Sequence, residues 1–254
     1  MEKIESVNNK IIKYTNSLKD KKARKKEGLF IAEGLRLVTD GMKIRKPEYV
    51  IISENFSCKD LGVKTYLVSE NVFKKLSDTV TPQGILGVFK IKERNISEIE
   101  KENTLVLNNI SDPGNMGTIL RTAYGAGFKN IVIDNKSVDL YNPKTVRSTM
   151  SAIFNLDIYL SSDIVSDLKL LKEKGFEIIG SALTEDSKNI YSTKINSPSL
   201  VVMGNEANGI EKEVLDICDK KVIIPMKNNI ESLNVSSAAS VIMYEILRRQ
   251  EYEI

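Results

Sequence analysis

TLVLNNISDPGNMGTILRTAYGAGFKNIVI, residues 104–133, is the stretch whose reading decides the fold class. Residues 104–107 form a short strand-like run, and Asp112-Pro113-Gly114 breaks the chain after it with residues that favour turns. A helix is expected to begin near Asn115. Gly125-Ala126-Gly127 closes that helix. As a nucleotide-binding turn this triplet is weak, because it lacks the third glycine of GxGxxG and ends a helix where such a motif should open one. A second strand-like run, 131–133, follows. The whole is strand, helix, strand.

The same alternation continues downstream. Apolar runs at 156–160, 176–179, 200–203 and 222–224 are separated by helical patterns, which predicts a mostly parallel sheet covered on both faces. In such sheets ligands sit beyond the carboxyl ends of the strands. Residues 163–174 read as a crossover helix, started by Ser162 or Asp163 and stopped by Gly175. The final helix carries Val235, Ala238, Ala239, Ile242, Met243 and Ile246 on one face. Upstream, 7–18 reads as a helix, and 29–32, 49–52, 65–68 and 85–89 as strands of a small α/β domain, the last fed by the turn 81–84. The polar stretch 92–103 carries few core residues. These features predict four parts: a basic helical segment 1–26, a small domain 27–92, a linker 93–103 and a larger α/β domain 104–250.

With 254 residues, 41% of them hydrophobic, the chain can bury a sizeable core. No apolar run approaches the ~18 residues of a membrane span, and residues 1–26 lack the apolar stretch of a secretory signal. A cytosolic protein with no membrane partner is therefore expected. Cys58 and Cys218 are too few and too isolated for a disulfide framework or a zinc site, and small buried apolar roles are expected for both. Histidine is absent. That excludes histidine acid/base catalysis and most transition-metal sites, so no metal is expected.

The net charge of +3 is unevenly placed: residues 1–26 hold +6, leaving −3 for the remainder. Lys19, Lys21, Lys22, Arg24, Lys25 and Lys26 crowd into eight positions, a density suited to phosphates. A solvated helix face carries such runs too. The run gains weight from three polar segments at strand ends. In the first, Asn115 and Arg121 border a cleft at the start of a helix. In the second, LVVMGNEANGI (200–210), a strand runs into glycines flanking Glu206. In the third, a strand breaks at Pro225, and Ser232-Leu233-Asn234 leads into the last helix, where Ser232 and Asn234 are also natural caps. Three polar loops at strand ends of one sheet make a plausible pocket.

Taken in order, these segments resemble the SpoU/TrmH family of RNA ribose 2′-O-methyltransferases, within the SPOUT superfamily. NMGTILRTA (115–123) resembles its first motif, VMGNEANGI (202–210) its second and IPMKNNIESLNVSSA (224–238) its third. NPKTVRSTMSAIF (142–154) and LFIAEGLRL (29–37) are also similar, so the resemblance spans about residues 5 to 250. Asn228 and Ser151 stand where the family usually has glycine.

The resemblance implies a methyltransferase domain at 104–250 with a deep trefoil knot, a homodimer with active sites at or near its interface, and an N-terminal RNA-binding domain similar to certain ribosomal proteins. It implies S-adenosylmethionine as cofactor, held in the knot by backbone around Gly204, Ile224 and Leu233, with Met226 and Gly209 beside them. It casts Arg121, Asn115, Glu206, Ser232 and Asn234 as the catalytic set. Arg121, whose guanidinium does not deprotonate in proteins, would bind a phosphate and stabilise charge on the 2′-oxygen. The expected partner is structured RNA, large-subunit ribosomal RNA in preference to transfer RNA. A noncatalytic ribosome-assembly factor is the alternative from another class, and a base-nitrogen methyltransferase is disfavoured by the ribose-type first motif.

Overall fold

Short polar side chains start the helices. Asn9 accepts from the Ile11 amide and Asp20 from those of Lys22 and Ala23, so the predicted helix 7–18 begins at Lys10 and the basic run after it folds as a helix of its own. In the computed structural model, which describes residues 2–57, 60–196, 198–228 and 232–251, the chain opens with β1 (Glu2–Ile4), α1 (Lys10–Ser17), α2 (Lys21–Glu27), β2 (Leu29–Glu33) and α3 (Leu35–Ile44). There follow β3 (Tyr49–Ser53), β4 (Thr65–Val68), α4 (Glu70–Leu76) and β5 (Ile85–Lys90). After a 3-10 turn at Ile96–Glu98 come β6 (Thr104–Leu107), α5 (Pro113–Gly125), β7 (Asn130–Asp134), α6 (Pro143–Ser148), α7 (Ala152–Asn155) and β8 (Asp157–Ser161). The chain ends with α8 (Ile164–Glu173), β9 (Glu177–Ser181), β10 (Lys188–Asn189), β11 (Ser199–Met203), α9 (Lys212–Leu215), β12 (Lys220–Ile223) and α10 (Val235–Glu251).

These elements divide into two units, one of Met1–Lys92 with Asp139–Phe154, the other of Glu93–Val138 with Asn155–Ile254. The first unit holds a five-stranded mixed sheet in the order β1-β4-β3-β5-β2, with β5 antiparallel to both neighbours. Ile4, Ile12 and Leu18 pack in its core with Tyr49, Ile51, Phe73 and Leu76. The segment 1–26 is thus part of this unit, where a separate piece was expected. The residues 139–154, placed by sequence inside the larger domain, also pack here: Tyr141 lies 4.9 Å from Phe30, and Phe154 meets Phe89 edge-on at 4.8 Å. Gly41 makes room, since a Cβ there would come within 2.6 Å of the Phe154 ring.

The second unit is a seven-stranded sheet, β10-β12-β9-β11-β6-β7-β8, and every pairing in it is parallel. Its inner strands β6 and β11 read as nearly continuous apolar runs because both faces are buried. Strand order reverses where β6 meets β11, and Leu107, Ile133 and Met203 end level with one another there. That is the switch point at which open α/β sheets bind ligands. Asp163 caps the crossover helix α8, deciding between the two candidates for its start. The two-residue edge strand β10 and the short β1 carry too few residues to give a periodic signal.

Candidate active site

α5 begins earlier than its sequence suggested, because Asp112 caps it and Pro113 occupies its first turn. The Asp112 carboxylate accepts from the Asn115 amide at 2.8 Å. This fixes Asn115 in the first turn, and its side chain joins the three segments. Asn115 Nδ2 donates to Glu206 Oε1 at 2.7 Å, and Asn115 Oδ1 accepts from Asn234 Nδ2 at 3.2 Å. Ser111 Oγ donates to the other Glu206 oxygen at 3.2 Å. Asn234 serves both roles open to it, since its Oδ1 also caps α10 by accepting from the Ser236 amide at 2.9 Å. Ser232 is exposed two residues upstream of that cap.

Two turns along α5, Arg121 is exposed and has no hydrogen bond or ion pair among the described residues. A guanidinium with its donors free is suited to an incoming phosphate or oxyanion. The cluster of Asn115, Glu206 and Asn234 therefore supplies donors and an acceptor, and Arg121 a fixed positive charge.

Gly204 follows β11, and a Cβ there would sit 2.3 Å from the backbone of Gly209 and Ile210, so only glycine lets the chain pass itself at this point. Gly209, at φ 69°, exchanges both backbone hydrogen bonds with Asn205 at 2.9 Å. Its amide and carbonyl are committed to shaping the loop. Asn228 adopts φ 60°, the left-handed backbone that explains glycine's usual place there and that asparagine tolerates. Residues 229–231 of the third motif lie outside the described residues, as does Cys58.

The basic run is not uniform. Arg24 is 3% exposed, donates to the carbonyls of Leu18 and Lys19, and is ion-paired to Asp139. Its guanidinium is consumed in joining 139–154 to α2 within the first unit, a correction to its assignment as an RNA contact. Lys19 is half-buried and donates to the carbonyls of Lys75 and Ser77, leaving Lys21, Lys22, Lys25 and Lys26 exposed. Cys218 is half-buried against Gly180, and burial pushes its thiol up to about 12. It takes the small packing role expected of it.

An all-parallel sheet with a polar constellation at its switch point defines a nucleotide- or cofactor-using α/β enzyme. The profile of the SpoU rRNA Methylase family matches residues 102–244, and that of the MRM3-like substrate binding domain matches residues 9–87. The chain is 32% identical over 251 residues to the 23S rRNA (guanosine(2553)-2′-O)-methyltransferase RlmP of Bacillus subtilis, covering 97% of this chain and 99% of that one. It is 28% identical to human mitochondrial rRNA methyltransferase 3, over 90% of this chain and 69% of the relative. Among solved structures, an AdoMet-bound rRNA methyltransferase from Sinorhizobium meliloti superimposes with a TM-score of 0.88 at 25% identity, covering 99% of both chains. The chain belongs to the SpoU methylase family. It is an RNA methyltransferase with the SPOUT fold, and the Sinorhizobium meliloti neighbour is bound to AdoMet, a methyl donor.

The strand ends fit that donor. Leu183, just past β9, is 73% exposed, and Leu233, just before α10, is 37% exposed. Ile224 and Met226 are half-buried after β12. Apolar side chains left partly uncovered at strand ends are of the type that packs on the faces of an adenosine.

Proposed function

We propose that this chain methylates a ribose 2′-hydroxyl of large-subunit ribosomal RNA. The observation that carries this reading is the joining of Asn115, Glu206 and Asn234, from three separate segments, near a helix that also presents Arg121, unpartnered among the described residues. The named substrates of RlmP and of mitochondrial rRNA methyltransferase 3 support the choice of ribosomal RNA.

Bound S-adenosylmethionine supplies an electrophilic methyl group on a cationic sulfur. The chain's own task is to hold the attacking hydroxyl in line with that methyl group. Glu206, acceptor-only when ionised, orients the hydroxyl, whose proton leaves to solvent water as the oxygen–methyl bond forms and the methyl–sulfur bond breaks; Asn115 holds the carboxylate and Asn234 holds Asn115. Arg121 binds the adjacent phosphate and stabilises negative charge developing on the 2′-oxygen; as a guanidinium it is not the base. Backbone around Gly204, Ile224 and Leu233, with Met226, would hold the donor. In the first unit Lys21, Lys22, Lys25 and Lys26 bind phosphates of the same RNA. α5 and α10 pack together, and their half-exposed Tyr124 and Tyr244 form the face we assign to a homodimer. No helix among the described residues is long and apolar enough to cross a membrane, and we place the enzyme with its ribosomal substrate in the cytosol.

The test is transfer of labelled methyl from S-adenosylmethionine to ribosomal and transfer RNA, beside Arg121→Ala. Label at a 2′-oxygen of large-subunit RNA that vanishes in the variant is the expected result. Label confined to transfer RNA, or to a base nitrogen, would overturn the substrate. Salt-sensitive RNA binding with no label on free RNA or on ribosomal subunits would favour the noncatalytic assembly factor.

A further inference from the structure

Glu206 stands on the loop after β11 and Asn115 in the first turn of α5, so something must set their separation. Asn205, beside Glu206, supplies the link. Its Oδ1 accepts from the amides of Ala207 and Asn208 at 2.9 and 3.1 Å, which shapes the turn that carries Glu206. Its Nδ2 donates to the carbonyl of Asn109 at 2.8 Å, on the loop leading to Ser111 and Asn115. The register of the two loops thus depends on where the Asn109 carbonyl points, and Asn109 is held in the left-handed region at φ 59°. Asparagine tolerates that conformation, and the direction of the carbonyl within it is set by the contacts around it.

The contacts converge on Asp134, at the end of β7. Its carboxylate is 5% exposed and accepts four hydrogen bonds from neutral donors. Oδ2 takes Asn108 Nδ2 and the Asn109 amide, each at 2.9 Å. Oδ1 takes the Ser137 amide at 2.9 Å and the Ser137 hydroxyl at 2.6 Å. The same hydroxyl accepts from the Ile110 amide at 2.9 Å, so one carboxylate anchors three consecutive residues of the loop. Asn108 extends the anchorage to the far side of the second loop: its Oδ1 accepts from the Glu211 amide at 2.8 Å, and its Nδ2 also reaches Glu211 Oε2 at 3.2 Å. Buried carboxylates are retained where every acceptor position is used. Here the donors are backbone and side-chain groups of the loop that leads to Asn115.

We propose that Asp134 is a positioning residue for methyl transfer, acting through Asn109 and Asn205 to set the Glu206–Asn115 pair. The inference rests on the assignment of that pair to the reacting hydroxyl. Asp134→Asn keeps the size but turns one oxygen into an amide that faces N–H or O–H donors on either side. With the wild-type enzyme active, kcat per cofactor-binding site, counted by calorimetric titration, should fall about tenfold or more in Asp134→Asn, while KM for RNA changes less than about twofold. Asn205→Ala should do the same, and the double variant should be no slower than the worse single, since both act through one chain of contacts. The side-chain amide resonance of Asn115, a reporter of its bond to Glu206, should move in each variant. Wild-type kcat per site, additive losses, or an unmoved Asn115 resonance would overturn the proposal. If the wild-type enzyme methylates no RNA, the functional reading has failed, and the Asn115 resonance alone decides whether Asp134 positions the pair.

Discussion

In the proposed mechanism Arg121 is the side chain on which the chemistry most depends, because it offers charge to the substrate and makes no hydrogen bond or ion pair among the described residues. Arg121→Ala should lower single-turnover methyl transfer by about 10²- to 10³-fold, the effect of removing one donor to a developing oxyanion, with cofactor affinity and thermal stability unchanged. Arg121→Lys should restore only part of the rate, as a point charge lacks the planar fork. Cys218 is the opposite case, a reactive group type made inert by packing. Burial disfavours its thiolate and, with Asp219 adding to the effect, raises the thiol from an ordinary 9.0 to about 12. The folded protein should therefore resist thiol reagents at pH 8 and react once unfolded. Because the raised value is in the folded state, the associated stability is fully present below about pH 9 and is lost as pH rises toward 12.

At the scale of elements, the N-terminal caps do more than begin helices. Asp112 caps α5 through the amide of Asn115 itself, and Asn234 caps α10 with one atom while reaching Asn115 with another. Capping and catalysis can be separated there. Asn234→Asp retains an acceptor for the Ser236 amide and suits the helix dipole, so stability should stay within about 0.5 kcal/mol. The donor to Asn115 is lost, and kcat should fall by about tenfold. Equal losses of stability and rate would show that the residue is only a cap. The sequence carried both halves of this assignment without choosing between them, since cap and ligand call for the same residue type.

For the whole molecule, the measurable consequence is how the first unit meets a polyanion. Replacing Lys21, Lys22, Lys25 and Lys26 by Gln should weaken RNA binding at low salt and reduce the slope of log affinity against log salt by up to about 3, if each lysine neutralises one phosphate. Arg24→Met should leave that slope unchanged. It should instead destabilise the protein by about 3–5 kcal/mol, because Asp139 loses the partner that keeps its charge satisfied. Filter binding across a salt series and urea unfolding separate the two effects.

The sequence by itself determined the alternation of strands and helices, the parallel sheet of the second unit and the three segments that carry Asn115, Arg121, Glu206 and Asn234. Those follow from periodicity and residue type, which act over a few positions. Tertiary structure decided what depends on residues far apart in the chain. Arg24 looks like its basic neighbours until Asp139, 115 positions away, claims it. The segment 139–154 joins the first unit because Phe30 and Phe89 offer its aromatic rings a place to bury. Gly204 is irreplaceable because another strand of backbone passes 2.3 Å from where its Cβ would be. Asp134 is one acidic residue at a strand end until the folded sheet gathers four donors around it.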